Sequence, residues 1–183
     1  MRKIYLIRHG KPDFPGGKRL CLGRTDIPLG ALGRMQACLL GQELKGRVSR
    51  VFSSPLSRAV QTAQAICPDV NVLPGLRELD AGDWDGLTFD EIRLQYPELY
   101  AARGENPRLL PPNAEAEAPA LARFSAAMAQ AAIDSPGDFA VVTHGGILTL
   151  FLTSLGLPRR KPDYAEIIPL AWENGTFSPA PFY

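Results

Sequence analysis

The sequence predicts an α/β domain in which helices cover both faces of a mostly parallel sheet, giving a three-layer α/β/α sandwich. The first observation is that short apolar runs alternate with longer segments of helical periodicity. The second is size: 183 residues, 45% of them hydrophobic, can bury a core without a disulfide or metal staple. We therefore expect one domain over residues 1–183.

The first half of the chain gives a strand, a turn and a helix twice. Residues 3–7 are apolar and rich in strand formers, and they end at Arg8-His9-Gly10. A second strand at 50–53 precedes Ser54-Pro55, which predicts an N-cap with Pro at the first position of a helix running to about Cys67. Between these strands an amphipathic helix is predicted, with an apolar face formed by Leu32, Met35, Leu39, Leu40 and Leu44.

The second half continues the alternation. A strand at 138–143 meets Gly145-Gly146, which opens a helix, and Asn174-Gly175 predicts a type I′ turn in a final hairpin. Residues 70–86 predict a short strand and loops. Segments 88–100 and 115–133 predict helices, separated by the Pro-rich stretch 107–119. We interpret 88–135 as a helical excursion near the substrate mouth.

Charge and cysteine content restrict the partners. Twenty Lys and Arg against nineteen Asp and Glu give a net charge of +1, which provides no field for nucleic acid or an anionic membrane. Cys21, Cys38 and Cys67 lack CxxC spacing, which favours unpaired thiols in a reducing cytoplasm. The apolar run at residues 3–7 is too short for the hydrophobic core of a signal peptide. We expect a cytoplasmic monomer or homodimer with a small-molecule partner.

Two histidines, the only two of the chain, follow predicted strands. His9 and His144 both lie at carboxyl strand ends, where open α/β sheets bind their ligands, and Arg8 and Arg58 belong to the same edge. Arginine binds phosphate oxygens bidentately, and a neutral imidazole can attack phosphorus if its other nitrogen is held as a donor. The pattern predicts an anion pocket for a phosphoryl group.

Other chemistries fit the residues less well. There is no HExxH or CxxC spacing for zinc and no GxSxG elbow for a serine nucleophile. Gly16-Gly17-Lys18 is followed by Arg19 instead of Ser or Thr, so it is not a Walker loop. We therefore expect neither a metal nor another cofactor.

Five sequence blocks in order resemble the histidine phosphatase superfamily, in its phosphoglycerate mutase-like branch. They are Ile7-Arg8-His9-Gly10, residues 23–37 (GRTDIPL, then Gly33 and Gln36-Ala37), residues 53–63 (SSPLSRAVQTA), residues 76–86 (LRELDAGDWDG) and Thr143-His144-Gly145-Gly146. The resemblance covers roughly residues 4–150. It implies the phosphoglycerate mutase-like fold.

The resemblance also implies roles for individual residues. His9 would be the nucleophile that becomes phosphohistidine, and Glu78 the general acid and then the base. Three other carboxylates are alternative candidates for the general acid, namely Asp80, Asp83 and Asp85. Arg8, Arg58 and His144 would complete the phosphate pocket, with Gly145, Arg24 and Thr25 as further binding residues.

The chain departs from the family pattern beside the nucleophile. Members of the family often continue RHG with Glu-Thr or Glu-Ser and a later Asn, where this chain has Lys11-Pro12 and Pro15. Backbone and side-chain donors are thereby lost, and Lys11 is expected to be solvated. Residues 111–115 (PPNAE) resemble the family's Pro-Gly-Gly-Glu segment with both glycines replaced.

The leading hypothesis is a metal-independent phosphomonoesterase acting on a small phosphorylated metabolite. Among the members of the family, the α-ribazole phosphatase type is the most similar, on the block 76–88 and the compact length. The alternatives are a cofactor-dependent phosphoglycerate mutase, a phosphatase of proteins or of broad phosphate esters, and a non-catalytic phosphate-binding module.

Overall fold

A six-stranded sheet lies at the centre of the computed structural model, which describes residues 1–180; the last three residues of the predicted domain lie outside this range. The strand order is β3-β2-β4-β1-β5-β6. Strands β1 to β4 are parallel, and β5 and β6 are antiparallel, which confirms the predicted fold class. The strands are β1 Arg2–Arg8, β2 Arg50–Ser53, β3 Val70–Val72, β4 Phe139–Thr143, β5 Ile167–Glu173 and β6 Thr176–Pro179.

Helices cover both faces of this sheet, as a buried, mostly parallel sheet requires. Side chains of β1 alternate between the two cores: Leu6 belongs to the same core cluster as Phe124, and Ile7 to the same cluster as Leu40. Within residues 1–180 every helix is too short or too polar to cross a bilayer. The helices are α1 Ala31–Glu43, α2 Ser57–Ile66, α3 Phe89–Gln95, α4 Pro97–Glu105, α5 Glu117–Asp134 and α6 Gly145–Ser154, with single 3-10 turns at Pro15–Gly17, Pro74–Leu76 and Gly82–Trp84.

The predicted apolar face of α1 is confirmed for Leu40 and Leu44, which are buried, and is wrong for the other three residues. Leu32, Met35 and Leu39 are 50%, 65% and 63% exposed. The buried face consists of small residues and two leucines, namely Gly33, Ala37, Leu40 and Leu44. A Cβ on Gly41 would lie 2.1 Å from the carbonyl oxygen of Ala65, so α1 and α2 approach too closely for large side chains between them.

Two predicted helix boundaries also differ. Helix α2 begins at Ser57 instead of Pro55, with Leu56 as the N-cap, while the hydroxyl of Ser54 contacts His144 at 2.7 Å and accepts the backbone N–H of Leu56 at 3.3 Å. The predicted helix 88–100 is split at Tyr96, because Pro97 cannot donate a backbone hydrogen bond and opens α4.

The final hairpin follows its sequence prediction. Asn174 and Gly175 have φ of 51° and 80°, the left-handed values that a type I′ turn needs at both central positions. The hairpin places β5 beside β1, so the loop before β5 lies next to the end of β1.

Candidate active site

The carboxyl ends of β1, β2 and β4 meet at one edge of the sheet, because β4 lies between the other two. Arg8 pairs with Thr143 in register, so His9 and His144 follow side by side. Their ring centroids are 5.0 Å apart. Arg58, in the first turn of α2, comes to the same edge from β2.

His9 is held in the form that a nucleophile requires. Its Nδ1–H donates to the carbonyl oxygen of Gly10 at 2.7 Å, and a carbonyl can only accept, so Nε2 keeps its lone pair. The ring is almost wholly buried. Burial, with the nearby Arg58 guanidinium, lowers the pKa of His9 well below its ordinary value, so the imidazole is neutral at pH 7.

Arg8 and Arg58 are buried, and each has a hydrogen-bond donor that no protein group accepts. Arg8 donates through Nη1 to the carbonyl of Pro162 at 2.7 Å, and its guanidinium lies 3.7 Å from the ring centroid of Tyr164. Arg58 donates to the carbonyls of Thr25 and Gly23 at 2.8 and 3.2 Å. The Nε atom of each arginine is buried without a protein partner. Burial lowers the pKa of both groups, yet arginine stays charged, so the two arginines form a cationic pocket.

His144 lies behind His9 and is fully buried. Its Nε2 is 2.7 Å from the hydroxyl of Ser54, and its Nδ1 has no partner. Burial and the adjacent His9 lower the pKa of His144 well below its ordinary value. The ring is therefore neutral and carries a single N–H, on either Nε2 or Nδ1.

Glu78 lies opposite this group, after β3 and its 3-10 turn. Its Oε1 accepts the backbone N–H of Leu79 at 3.0 Å and of Ile147 at 2.7 Å, and Oε2 accepts that of Gly146 at 2.8 Å. Arg123 donates to the Glu78 carbonyl at 2.9 Å and pairs with Glu115 at 2.7 Å. Glu78 is thus fixed at both its backbone and its carboxylate.

The three rival carboxylates have other partners. Asp80 pairs with the exposed Arg24 at 3.1 Å. Asp85 accepts backbone N–H groups of residues 23–25, and Asp83 accepts the side-chain amide of Asn113. Only Glu78 among these four acids lines the cleft that contains His9.

Three predicted binding residues are placed differently from the arginines. Arg24 faces Asp80, and Thr25 contributes its carbonyl to Arg58; neither side chain lines the cleft of His9. Gly145 is packed tightly, since a Cβ there would lie 2.6 Å from Lys161 Cε and 3.0 Å from Arg8 Nε. Its role is to allow these two cations to approach α6.

The residues that depart from the family pattern differ in where the structure places them. Pro12 is buried and lines the cleft, whereas Lys11 is exposed and uses its backbone N–H on Gln36. Asn113 has φ of 58°, so it takes the left-handed conformation at a position where the resemblance puts glycine.

Sequence reasoning missed several residues of the cleft. Lys161 and Tyr164 come from the segment between α6 and β5, and Arg19 from the loop after β1. No local motif marks them. Within residues 1–180 no group of three or more His, Cys, Asp or Glu is placed to hold a metal ion, and all three cysteines are free. The fold and the cationic cleft around His9 define an α/β protein with a site suited to a phosphoryl group.

The chain belongs to the histidine phosphatase superfamily (branch 1), whose model matches residues 4–179. It is 33% identical over 156 residues to the metal-independent phosphoserine phosphatase of Arabidopsis thaliana, covering 80% of this chain and 65% of that protein. It is 30% identical over 168 residues to the glucosyl-3-phosphoglycerate phosphatase of Mycobacterium tuberculosis, covering 84% and 75%. The protein is accordingly a phosphomonoesterase of this superfamily.

Solved structures agree with this assignment. A mycobacterial glucosyl-3-phosphoglycerate phosphatase in complex with VO3 superposes with a TM-score of 0.82 and 29% identity, covering 93% of both chains. An Escherichia coli protein described as an α-ribazole-5′-phosphate phosphatase also gives a TM-score of 0.82, at 25% identity over 98% of this chain and 96% of that one.

Proposed function

We propose that this phosphatase hydrolyses a small phosphorylated metabolite through a phosphohistidine on His9, without a metal ion. The observation that carries the proposal is the state of His9. Its Nδ1–H is tied to Gly10, so Nε2 is free to attack, and two arginines with unpartnered Nε atoms lie beside it. A phosphoryl group needs this combination of in-line positioning and charge neutralisation.

The reaction proceeds in two balanced steps. His9 Nε2 forms a bond to phosphorus as the bond from phosphorus to the ester oxygen breaks, and Glu78 gives that oxygen its proton. Water then attacks the phosphohistidine, and Glu78 accepts one of its protons. Inorganic phosphate leaves, and His9 and the protonated Glu78 return to their starting states. Arg8, Arg58 and His144 bind the phosphoryl oxygens in both steps.

The substrate is proposed only as a class. The phosphatases that this chain resembles are named for phosphoserine, glucosyl-3-phosphoglycerate and α-ribazole phosphate, which share a phosphomonoester and differ in the alcohol. The cleft around His9 holds the shared phosphoryl part. α-Ribazole phosphate therefore belongs in a panel of phosphorylated metabolites as one candidate substrate among several.

The experiment is hydrolysis of p-nitrophenyl phosphate in EDTA, followed by a trap. Wild-type protein denatured during turnover of ³²P-labelled substrate should carry label that is labile to acid and stable to base. His9→Ala should fold, lose turnover and carry no label. Label that survives acid would place the phosphoryl group on a hydroxyl, for example Ser53 or Ser54, and would overturn the proposal.

The same proteins and labelled substrate distinguish the proposed phosphatase from two alternative functions. A phosphoglycerate mutase would return the label to phosphoglycerate, whereas the proposed enzyme releases it as inorganic phosphate. A phosphate-binding module would bind vanadate or phosphate and turn over no ester. The free Nε2 of His9 and the fixed carboxylate of Glu78 favour hydrolysis, because binding alone needs neither a nucleophile nor an acid.

A further inference from the structure

The cleft of His9 contains more positive charge than a phosphate monoester can neutralise. Arg8, Arg58, Arg19 and Lys161 face a single carboxylate, that of Glu78. The imidazole of His9 is neutral. A phosphate dianion leaves two positive charges uncompensated while Glu78 carries the proton that it donates, and one after Glu78 has ionised, so the cleft has room for at least one more negative charge.

Lys161 and Arg19 supply this surplus. Neither forms an ion pair with any acidic residue in the described range, 1–180. Arg19 lies over the ring of Phe89, at 5.4 Å from its centroid. Arg24 and Arg123, by contrast, are paired with Asp80 and Glu115 at the neighbouring surface.

The position of Lys161 is where the alcohol part of a substrate must pass. The cleft of His9 continues into a second cleft lined by apolar groups that include Trp84, Leu110 and Pro111. Glu78 and Lys161 line both clefts. Because Glu78 is the proposed proton donor to the ester oxygen, the leaving group lies beside Glu78 and therefore beside Lys161.

The stem of Lys161 lies against the start of α6 at this junction, and the residue keeps exposed surface. Its Cε lies 2.6 Å from the position of a Cβ on Gly145, so the side chain crosses the start of α6 next to Arg8. Partial desolvation by the surrounding protein lowers the pKa of Lys161. The Glu78 carboxylate opposes that shift, and the Arg8 and Arg19 guanidinium groups add to it. The two guanidinium groups disfavour the ammonium, and a bound anion would offset that repulsion.

We propose that Lys161, assisted by Arg19, binds a carboxylate on the leaving group, so that the preferred substrates are phosphate monoesters of hydroxy acids. This assignment rests on the proposed phosphatase function and specifies the substrate class of the same site. Lys161 is then a specificity-determining residue supplied from the segment before β5.

The test compares two esters that differ by one carboxylate. O-Phosphoserine carries it, and O-phosphoethanolamine has hydrogen in its place. Lys161→Gln should lower the ratio of kcat/KM for phosphoserine to that for phosphoethanolamine about tenfold or more, as expected for losing a charge-assisted hydrogen bond. Arg19→Gln should lower the ratio less, Lys161→Arg should retain most of it, and Lys11→Gln should leave it unchanged, since Lys11 does not line the cleft.

An equal loss for both esters in Lys161→Gln would overturn the proposal, because it would show that the lysine serves the phosphoryl group or the fold. An unchanged ratio would overturn it as well, and so would a higher kcat/KM for α-ribazole phosphate than for the hydroxy-acid esters. Titration calorimetry of His9→Ala with both esters measures the ratio of their dissociation constants, which should depend on Lys161 in the same way without turnover. A wild-type protein that binds phosphoserine through Lys161 and hydrolyses nothing would contradict the proposed function and leave the carboxylate site standing.

Discussion

The carboxylate of Glu78 accepts the backbone N–H of Ile147 at 2.7 Å, in the first turn of α6. Gly146 donates to the other oxygen at 2.8 Å, so both oxygens are directed by one helix end. His144 is the N-cap of that helix, so the proposed acid and the second histidine meet at the same helix end. Changes at this junction should therefore affect proton transfer specifically.

Glu78→Gln keeps the size of the side chain and removes its transferable proton. Phosphorylation of His9 by alkyl phosphates should slow by about 10²- to 10⁴-fold, and by p-nitrophenyl phosphate far less, because p-nitrophenolate leaves without a proton. The rate must be the burst or single-turnover rate of phosphoenzyme formation, since hydrolysis of the phosphoenzyme is common to all substrates. Asp83→Asn is the matched control, because Asp83 is bound to Asn113 outside the cleft. Equal slowing for both esters would deny Glu78 the acid's role.

Gly146→Ala tests the position of the same carboxylate without changing it chemically. A Cβ on Gly146 would lie 2.8 Å from Glu78 Oε1, so the carboxylate must move. We expect the same preference for good leaving groups as in Glu78→Gln, but a smaller loss. Gly104→Ala in α4 is the control, since a Cβ there meets nothing within 4 Å. Wild-type leaving-group dependence in Gly146→Ala would mean that Glu78 tolerates displacement.

Arg58→Lys should not behave as a conservative change. The lysine keeps the charge, but it lacks the fork that donates to Thr25 and Gly23 while presenting Nε to a ligand. We expect kcat/KM to fall roughly tenfold to a hundredfold for every phosphate ester, the size of a lost charge-assisted hydrogen bond, with weaker inhibition by vanadate. Arg24→Lys serves as the comparison, because Arg24 is exposed and pairs with Asp80. A loss confined to Arg24→Lys would exchange the two assignments.

The free energy of unfolding should decrease as the pH falls below about 6.5, the unperturbed pKa of histidine. The pKa values of His9 and His144 are well below this in the folded protein, because burial and neighbouring cations disfavour their charged forms. The unfolded chain then binds more protons, so acid favours it by at most about 1.4 kcal/mol per pH unit for each histidine. Urea unfolding between pH 7 and pH 5.5 measures this slope, and His9→Gln should reduce it. A flat profile would contradict the shifted pKa values.

The predictable part of the site lies at the ends of strands. His9 and His144 could be assigned to one edge because short apolar runs precede them, and parallel strands end together. Arg58 could be added because it is one helical turn into the segment after the next strand. Glu78 follows an irregular segment without periodicity, and only the resemblance of residues 76–86 to the family singled it out.

The sequence by itself determined the α/β class, the approximate strands and the edge where the two histidines meet, because these depend on local periodicity and on the rule that parallel strands end at one edge. Only the tertiary structure decided which face of α1 is buried. A Cβ on Gly33 would lie 2.1 Å from the carbonyl oxygen of Lys11, and one on Gly41 2.1 Å from that of Ala65 in α2, so this face of α1 must carry small residues, and no local pattern contains those distances. Only the tertiary structure placed Lys161 beside Arg8, because the antiparallel pairing of β5 with β1 brings residues about 150 positions apart into contact.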